Sequence, residues 1–498
     1  MPLFDMFSCG NIGGLAFLLG IFPAGLVLYF IHHRSNGNIP GPFLARWTHL
    51  WLAYHAYRGR RYKAVHAAHQ RYGTVVRIAP RHISIASPDA ISVIYGQGQK
   101  ALLKSTFYDA FVCNGKTSIF STRDRQEHAM KRRIVSHAFS TTALQQFIPL
   151  IYSTIKQFTA RMDELCDKGE YFDAVLWFNY LAFDILSDLA FGDRIGMLER
   201  GSDIVALQRS DGFLRNENAI ALVDEREHFA AIVGIHPVFQ WIASAFPCLS
   251  GRKATSALEE LGRRQVLKRL SSRSNRNDIL GKLIEARGYD ARDPTADEIA
   301  ELTAESVTLL IAGSDTTSNS IAATLHFVVT HPRVYKKLME FLLDASNGRN
   351  SLNYEDAKDI PYLHATINEG LRLHSTTAIG LHRLVPSDGI LCCGRYFPSG
   401  TELSVPAWTI SHDSELWGDP ENFRPERWLE ATDTRRYLLA FGKGPRACIG
   451  QNLAYMEMIS VLTTILLRYE IDVKSDKLET IEGFMHKPLH TWLKLRLR

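Results

Sequence analysis

Residues 12–31, IGGLAFLLGIFPAGLVLYFI, run for twenty positions without a charge, whereas beyond residue 47 the apolar positions recur at helical or strand spacing. The first stretch is long enough to cross a bilayer core of about 30 Å as a helix. Further along, VVRIAPRHISIAS (75–87) predicts two short strands around Ala-Pro-Arg, and Ser87-Pro88 then starts a helix. From about 123 to 345 the spacing is mostly helical, including 141–167 and 173–191. The longest pattern, 295–330, opens on a capping box of Thr295 and Glu298 and stops before Pro332. A helix is expected at 361–373, strands with turns at 380–406, and a last helix at about 449–467. Helix outweighs strand, and strands gather at the two ends, so the expected class is α+β, helix-dominated.

Neither a Gly/Ser-rich nor a Pro-rich linker follows residue 47, and no repeat occurs in the 498 residues, so one large domain is expected at 47–498. Pro40 and Pro42 around Gly41 make 34–46 a stiff hinge. Residues 1–33 are then expected to form an uncleaved anchor, with His32 and His33 at the membrane boundary; a cleaved signal peptide is the other reading, against which the long apolar run and the lack of a basic start count. Arginines follow the apolar run and none precedes it, which places the domain on the cytosolic side. The net charge of +5 is mild and no nucleic-acid-reading motif is present, so nucleic acid is not an expected partner. Basic clusters at 58–63 and 131–133 are solvated faces, or docking points for an acidic partner or lipid. Seven cysteines without regular spacing make neither a disulfide framework nor a zinc ribbon, and the neighbours Cys392 and Cys393 are not expected to bridge.

One cysteine has unusual company. In FGKGPRACIG (441–450), Cys448 precedes an amphipathic helix, whose unpaired N–H groups favour a thiolate. Gly442, Gly444 and Gly450 allow a bulky group close to the backbone, and Arg446 supplies a permanent cation. A thiolate, a flat bulky group and carboxylates beside it describe a haem. Two other readings stand beside it: a phosphate loop, against which Ala447 and Pro445 count, and a plain buried thiol. In AGSDTTS (312–318), Gly313 and small neighbours weaken a helix interior while Asp315 and Thr316 add polar groups. Taken alone, the stretch is equally a proton relay or a kink whose side chains satisfy backbone carbonyls.

FGKGPRACIG resembles the haem-binding loop of the cytochrome P450 family at Phe441, Gly444, Arg446, Cys448 and Gly450, and the resemblance runs from about Pro40 to Pro488. It implies haem b (iron protoporphyrin IX), with Cys448 as the axial ligand of the iron, a thiolate that favours O–O cleavage. AGSDTTS resembles the oxygen-activation motif, which implies catalytic roles for Gly313, Asp315 and Thr316. EGLR (369–372) and FRPERW (423–428) resemble the paired motifs in which Glu369, Arg372 and Arg427 fix the haem-side core. Arg132 and Arg383 match propionate-binding positions beside Arg446; His128 stands where the family usually has tryptophan and is kept as a propionate contact.

Within the family, LKSTFYDAF (103–111), WFNYLAFDILSDLAFG (177–192) and HSTTAIGLHR (374–383) resemble fungal benzoate para-hydroxylases, although His382 replaces an expected proline. Phe107, Phe111, Phe120 and Ile379 are candidate pocket residues, or ordinary core. The implied function is hydroxylation of a small monocyclic aromatic substrate with O2. Electrons would come from NADPH through a separate cytochrome P450 reductase, with cytochrome b5 as a further candidate, because the chain has no flavin or nicotinamide domain. Lys131 and Arg133 are candidates for docking that partner. The endoplasmic reticulum membrane is the implied location, with lipid around the anchor. Rival readings are a haem-thiolate isomerase or dehydratase needing no reductase, and a haem-binding carrier or sensor.

Overall fold

The computed structural model describes residues 39–498, apart from 97–100, 209–213, 247, 273–275, 277, 290–291, 350 and 431–433. The expected anchor at 12–31, with His32, His33 and the start of the 34–46 hinge, lies outside the described residues. The described end of the hinge is pinned to the domain: the Pro40 carbonyl accepts from the Arg77 amide at 2.8 Å. A Cβ on Gly41 would meet the Arg77 carbonyl oxygen at 2.2 Å, so only glycine permits this approach.

The helices that build the site are α1 (Arg125–Ser136), α2 (Thr141–Lys168), α3 (Ala174–Phe191), α4 (Ala219–Val233), α5 (Ala296–Thr330), α6 (Pro361–Leu373) and α7 (Gln451–Arg468). The expected spans for α2, α3, α5, α6 and α7 agree within two residues. The α5 capping box forms as the sequence predicts, with Thr295 Oγ1 accepting from the Glu298 amide and Glu298 accepting from the Thr295 amide. At 35 residues, α5 spans about 52 Å. Helix α3 is long and apolar enough to cross a membrane, yet its side chains are buried inside the domain, which makes it a core helix.

Strands β1 (Val75–Ala79), β2 (His82–Ile85), β3 (Leu103–Lys104), β4 (Arg383–Leu384) and β5 (Glu402–Ser404) form one sheet in the order β1-β2-β5-β4-β3. The pairing is antiparallel except between β2 and β5. All four residues of β2 are buried, so this strand is covered on both faces. A three-stranded sheet joins Tyr469–Val473, Trp492–Leu497 and Phe172–Asp173. The hairpin of β6 (Thr480–Glu482) and β7 (His486–Pro488) hangs beside the centre of α5.

Three expectations need correcting. A hairpin of Ile204–Gln208 with Leu214–Asn218 interrupts the stretch expected to be helical. Lys131 does not belong to a solvated basic face: it is buried and its ammonium meets Glu301 at 2.8 Å, Glu305 at 3.2 Å and Glu127 at 3.6 Å. It is therefore unavailable for docking a partner, whereas Arg133 is exposed. Arg61, counted with the cluster at 58–63, is likewise buried and paired with Glu482 at 3.3 Å. Cys392 and Cys393 stay unbridged with their sulfurs 3.9 Å apart, and Cys393-Gly394, both at positive φ, make the turn of a hairpin.

Candidate functional site

A largely apolar cavity lies between the middle of α5 and the loop that leads into α7. Its walls include Ala312, Gly313 and Thr316 from α5, and Phe441, Gly442, Arg446, Cys448 and Gly450 from the loop. The loop is closed by a hydrogen bond from the Cys448 amide to the Phe441 carbonyl at 2.8 Å. Gly442 and Gly444 have φ of +64° and +70°, and a Cβ at 444 would meet the Tyr95 carbonyl oxygen at 1.8 Å. Glycine at 444 is therefore set by the neighbouring chain. At 442 a Cβ would have no atom within 3.8 Å, and the left-handed backbone is the constraint.

Cys448 is exposed to the cavity while protein atoms surround it on the other sides. Helix α7 starts at Gln451 with Gly450 as its cap, two residues later than the sequence pattern implies. The expected helix-end stabilisation of the thiolate loses to burial, which pushes the Cys448 thiol up; the Gly450 backbone and Arg132 pull only partly the other way. The protein thus presents a thiol that needs a cation at its sulfur to become a thiolate.

Arg446 lines this cavity with Arg132, Arg383 and Lys104 behind its wall, and burial pushes the one lining carboxyl, Glu457, well above the ordinary carboxyl value. Arg446 donates to the carbonyls of Thr122 at 2.8 Å and Asp124 at 3.2 Å. Arg132 donates to the Ala447 carbonyl at 2.8 Å, and Arg383 donates to the Tyr108 hydroxyl at 3.1 Å. Lys104, absent from the sequence-based candidates, is buried with its ammonium on the Phe120 carbonyl. None of these four forms an ion pair with a described carboxylate. Two of them are pushed down: burial and then Arg383 bring Arg446 to about 10, and burial, Arg383 and Arg446 push Lys104 well below the lysine value. His128 is buried on α1 beside them, and burial followed by Arg446, Lys104 and Arg132 brings it down to about 3. Buried cations are costly without a partner. Two carboxylates brought by a ligand would match this rim, which is what haem propionates offer. Cavity, cavity-facing sulfur and orphaned cations together fit the haem.

On α5 the two readings of AGSDTTS meet. Thr316 lines the cavity and its hydroxyl donates to the Ala312 carbonyl at 2.6 Å; Ser314 and Ser320 bond back to Leu310 and Thr316 in the same way. The helix nevertheless continues unbroken, so these bonds do not make a break. Gly313 has a packing reason: a Cβ there would stand 2.6 Å from Leu186 of α3. Asp315 turns away from the cavity and is buried against Lys487 of β7, Oδ1 to Nζ 2.7 Å. Lys487 also meets Asp224 and, at 3.8 Å, Glu227, both on α4. Although burial opposes its charge, Asp315, Glu227 and Asp224 hold Lys487 above the ordinary lysine value. Burial and then Asp315 push Glu227 up to about 8. Sequence spacing gave no sign of this cluster, because its members come from three distant segments.

Glu369, Arg372 and Arg427 are brought together as expected. Glu369 accepts from Arg372 at 2.8 and 2.9 Å, from Arg427 at 3.0 Å and from the Trp428 indole at 2.9 Å. All three are buried, in contrast to an exposed helix pair of the same spacing. Of the four aromatic-pocket candidates, only Phe120 lines the cavity. Phe107 and Phe111 form a buried second layer behind it, because the 3-10 turn Thr106–Phe111 aims them into a cluster with Phe484. Ile379 lies in that cluster and not on the cavity wall. Phe484 and Met485, from the β6–β7 turn, are lining residues that the sequence did not single out.

The family model described as Cytochrome P450 matches residues 39–494. The chain is 38% identical to benzoate 4-monooxygenase of Aspergillus niger, over 93% of this chain and 94% of that protein. It is 31% identical to a cytochrome P450 monooxygenase of Aspergillus terreus, over 87% and 90% of the two chains. Pisatin demethylase of Fusarium vanettenii is 29% identical over 92% and 90%.

Proposed function

The chain belongs to the cytochrome P450 family, and on that premise we propose that it hydroxylates a small monocyclic aromatic substrate such as a benzoate, cresol or other phenol. Relatives named as monooxygenases favour turnover with O2 over the isomerase, dehydratase and carrier readings. The observation that carries the substrate class is the aromatic wall. Phe120 and Phe484 line the cavity that Thr316 and Cys448 also line, and Phe111 backs both, its ring 5.2 Å from Phe120 and 4.7 Å from Phe484. Such edge-to-face rings favour a flat aromatic guest. The name of the first relative, a benzoate monooxygenase, points the same way.

Haem b would be held by Cys448 at its iron and by Arg446, Arg383, Arg132, Lys104 and His128 at its propionates; when bound, it supplies oxygen activation. Thr316 holds a hydroxyl at the cavity wall whose oxygen can still accept a hydrogen bond while its hydrogen rests on Ala312. Asp315 connects through Lys487 to Asp224, whose side chain is half exposed, which offers a route for protons between solvent and α5. Electrons come from NADPH through a separate reductase, with cytochrome b5 as a second donor.

The endoplasmic reticulum membrane is the location we infer. Exposed Phe43, Leu44, Leu50, Tyr54 and Tyr57 follow the apolar segment 12–31, and exposed Val238, Trp241 and Ile242 lie close by, since His49 and His236 are in ring contact at 4.3 Å. A patch of this kind suits a lipid surface.

The test is a binding-spectrum panel of benzoates, cresols and phenols, followed by turnover with NADPH and reductase. A small aromatic acid or phenol is expected to shift the haem spectrum and to emerge hydroxylated. If only polycyclic or terpenoid compounds do so, the substrate class falls while the monooxygenase assignment stands.

A further inference from the structure

We propose that His82, His382 and Glu402 form a binding site for one divalent transition-metal ion, with Zn2+ the best match to their chemistry. The three residues come from neighbouring positions of the five-stranded sheet. His82 opens β2, Glu402 opens β5 opposite it in parallel register, and His382 immediately precedes β4. One donor atom from each lies within 4.8 Å of the other two. Glu402 Oε2 is 3.4 Å from His382 Nδ1 and 3.9 Å from His82 Nδ1. Donors around a tetrahedral zinc with bonds of about 2.0–2.1 Å stand roughly 3.3 Å apart, so the Glu402–His382 pair is already spaced, while the Glu402–His82 pair and the two histidines, which lie within 4.8 Å, must draw closer.

Each ring is held in place by groups outside the triad. His82 Nε2 is tied to Ser404 Oγ at 2.8 Å, the kind of outer partner that orients a ligating imidazole. His382 is stacked on Phe107, with ring centroids 4.2 Å apart at 21°. Its Nδ1 is buried and has no hydrogen-bond partner, an unusual state for a polar atom 3% exposed as a residue. A metal ion at this point would satisfy it.

The nearest cations are engaged elsewhere: Arg61 with Glu482 at 3.3 Å, Arg123 with Asp109 at 3.2 Å, and Arg383 with the Tyr108 hydroxyl. Glu402 offers a carboxyl oxygen and is 19% exposed at its side chain, which leaves a way in. Two histidines and one glutamate are a recognised zinc set, with a fourth position for water. The site is separate from the cavity of Cys448, none of whose lining residues belongs to it.

The experiment uses the full-length holoenzyme in detergent, stripped of loose metal with a chelator, equilibrated with Zn2+ and washed. Zinc per haem is measured by elemental analysis and the zinc ligands by X-ray absorption at the zinc edge. One zinc per haem is expected, with N/O ligands at about 2.0–2.1 Å and the scattering of two imidazoles. His382→Ala and Glu402→Gln should each weaken zinc binding by at least about 100-fold while haem content is retained. Undiminished zinc in His382→Ala, or none retained by the unmodified enzyme, overturns the site. If a variant fails to hold haem, the spectrum of the unmodified enzyme decides alone, and fewer than two imidazoles around zinc also overturns it.

Discussion

Thr316 and Asp315 are adjacent in sequence but have different surroundings, one on the cavity wall and the other in a salt-bridged pocket behind it. A Thr316→Ala change is therefore expected to lower product per NADPH while NADPH and O2 continue to be consumed; Thr316→Ser, which keeps the hydroxyl, should restore most of the coupling. Comparing the two stoichiometries checks this. Lys104 makes a second residue-scale case, because its value depends on occupancy. With its charge buried among Arg383 and Arg446, it destabilises the protein without haem. Lys104→Met should raise the thermal stability of the apoprotein. It should also weaken haem binding by roughly 10- to 150-fold, the equivalent of about 1.5–3 kcal/mol for one charged hydrogen bond. Haem transfer to an acceptor apoprotein reads the second effect, and opposite signs in the two measurements are the expected signature.

At the scale of elements, two ion clusters tie segments together across the domain. Glu369 joins α6 to the Arg427–Glu430 turn through two buried guanidiniums and an indole. Glu369→Gln leaves Arg372 without its anion and Arg427 with only the partly exposed Asp419, and should cost about 3–5 kcal/mol, measured by thermal unfolding together with haem retention. Lys487 joins β7, α4 and α5. It lowers the proton affinity of both Asp224 and Glu227, so Lys487→Met removes that restraint and raises both carboxyls further. The acid limb of the coupling–pH profile is then expected to move to higher pH; an unmoved limb would mean that these groups do not take part in proton delivery. Helix α3 shows why an element cannot be judged in isolation. Its composition fits a membrane span, and the helices packed around it, α2 and α5 among them, make it core.

At the scale of the whole molecule, many histidines are buried and neutral. Burial brings His69 to about 4, His374 to about 3 and His412 to about 3. Unfolded imidazoles take up a proton near pH 6.5, so between about 6.5 and 4 the unfolded chain binds more protons than the folded one. Stability must then fall as pH falls through that window, by up to about 1.4 kcal/mol per pH unit for each histidine. Urea unfolding at pH 7 and pH 5 should show the loss, and replacing His412 with Asn should reduce the slope.

Much of this was legible in the residues. Period and caps alone place α2, α3, α5 and α6, since each carries a start signal and a continuous apolar face. The glycines, arginine and cysteine of 441–450 announce their chemistry because those residue types sit next to one another in the chain. Lys104, Phe484, Met485 and Lys487 were not legible, because their meaning comes from partners hundreds of residues away. The thiol of Cys448 belongs to both groups. The sequence determined that it lies just before a helix, whose dipole favours a thiolate. Only the tertiary structure decided that desolvation outweighs the dipole, that Arg446 on the wall shares its surroundings with further cations and no described ion-pair partner, and that the sulfur faces inward. The physical reason is range: helix propensity and capping act within a few residues, whereas burial and charge depend on everything that packs within several ångströms, wherever it lies in the chain.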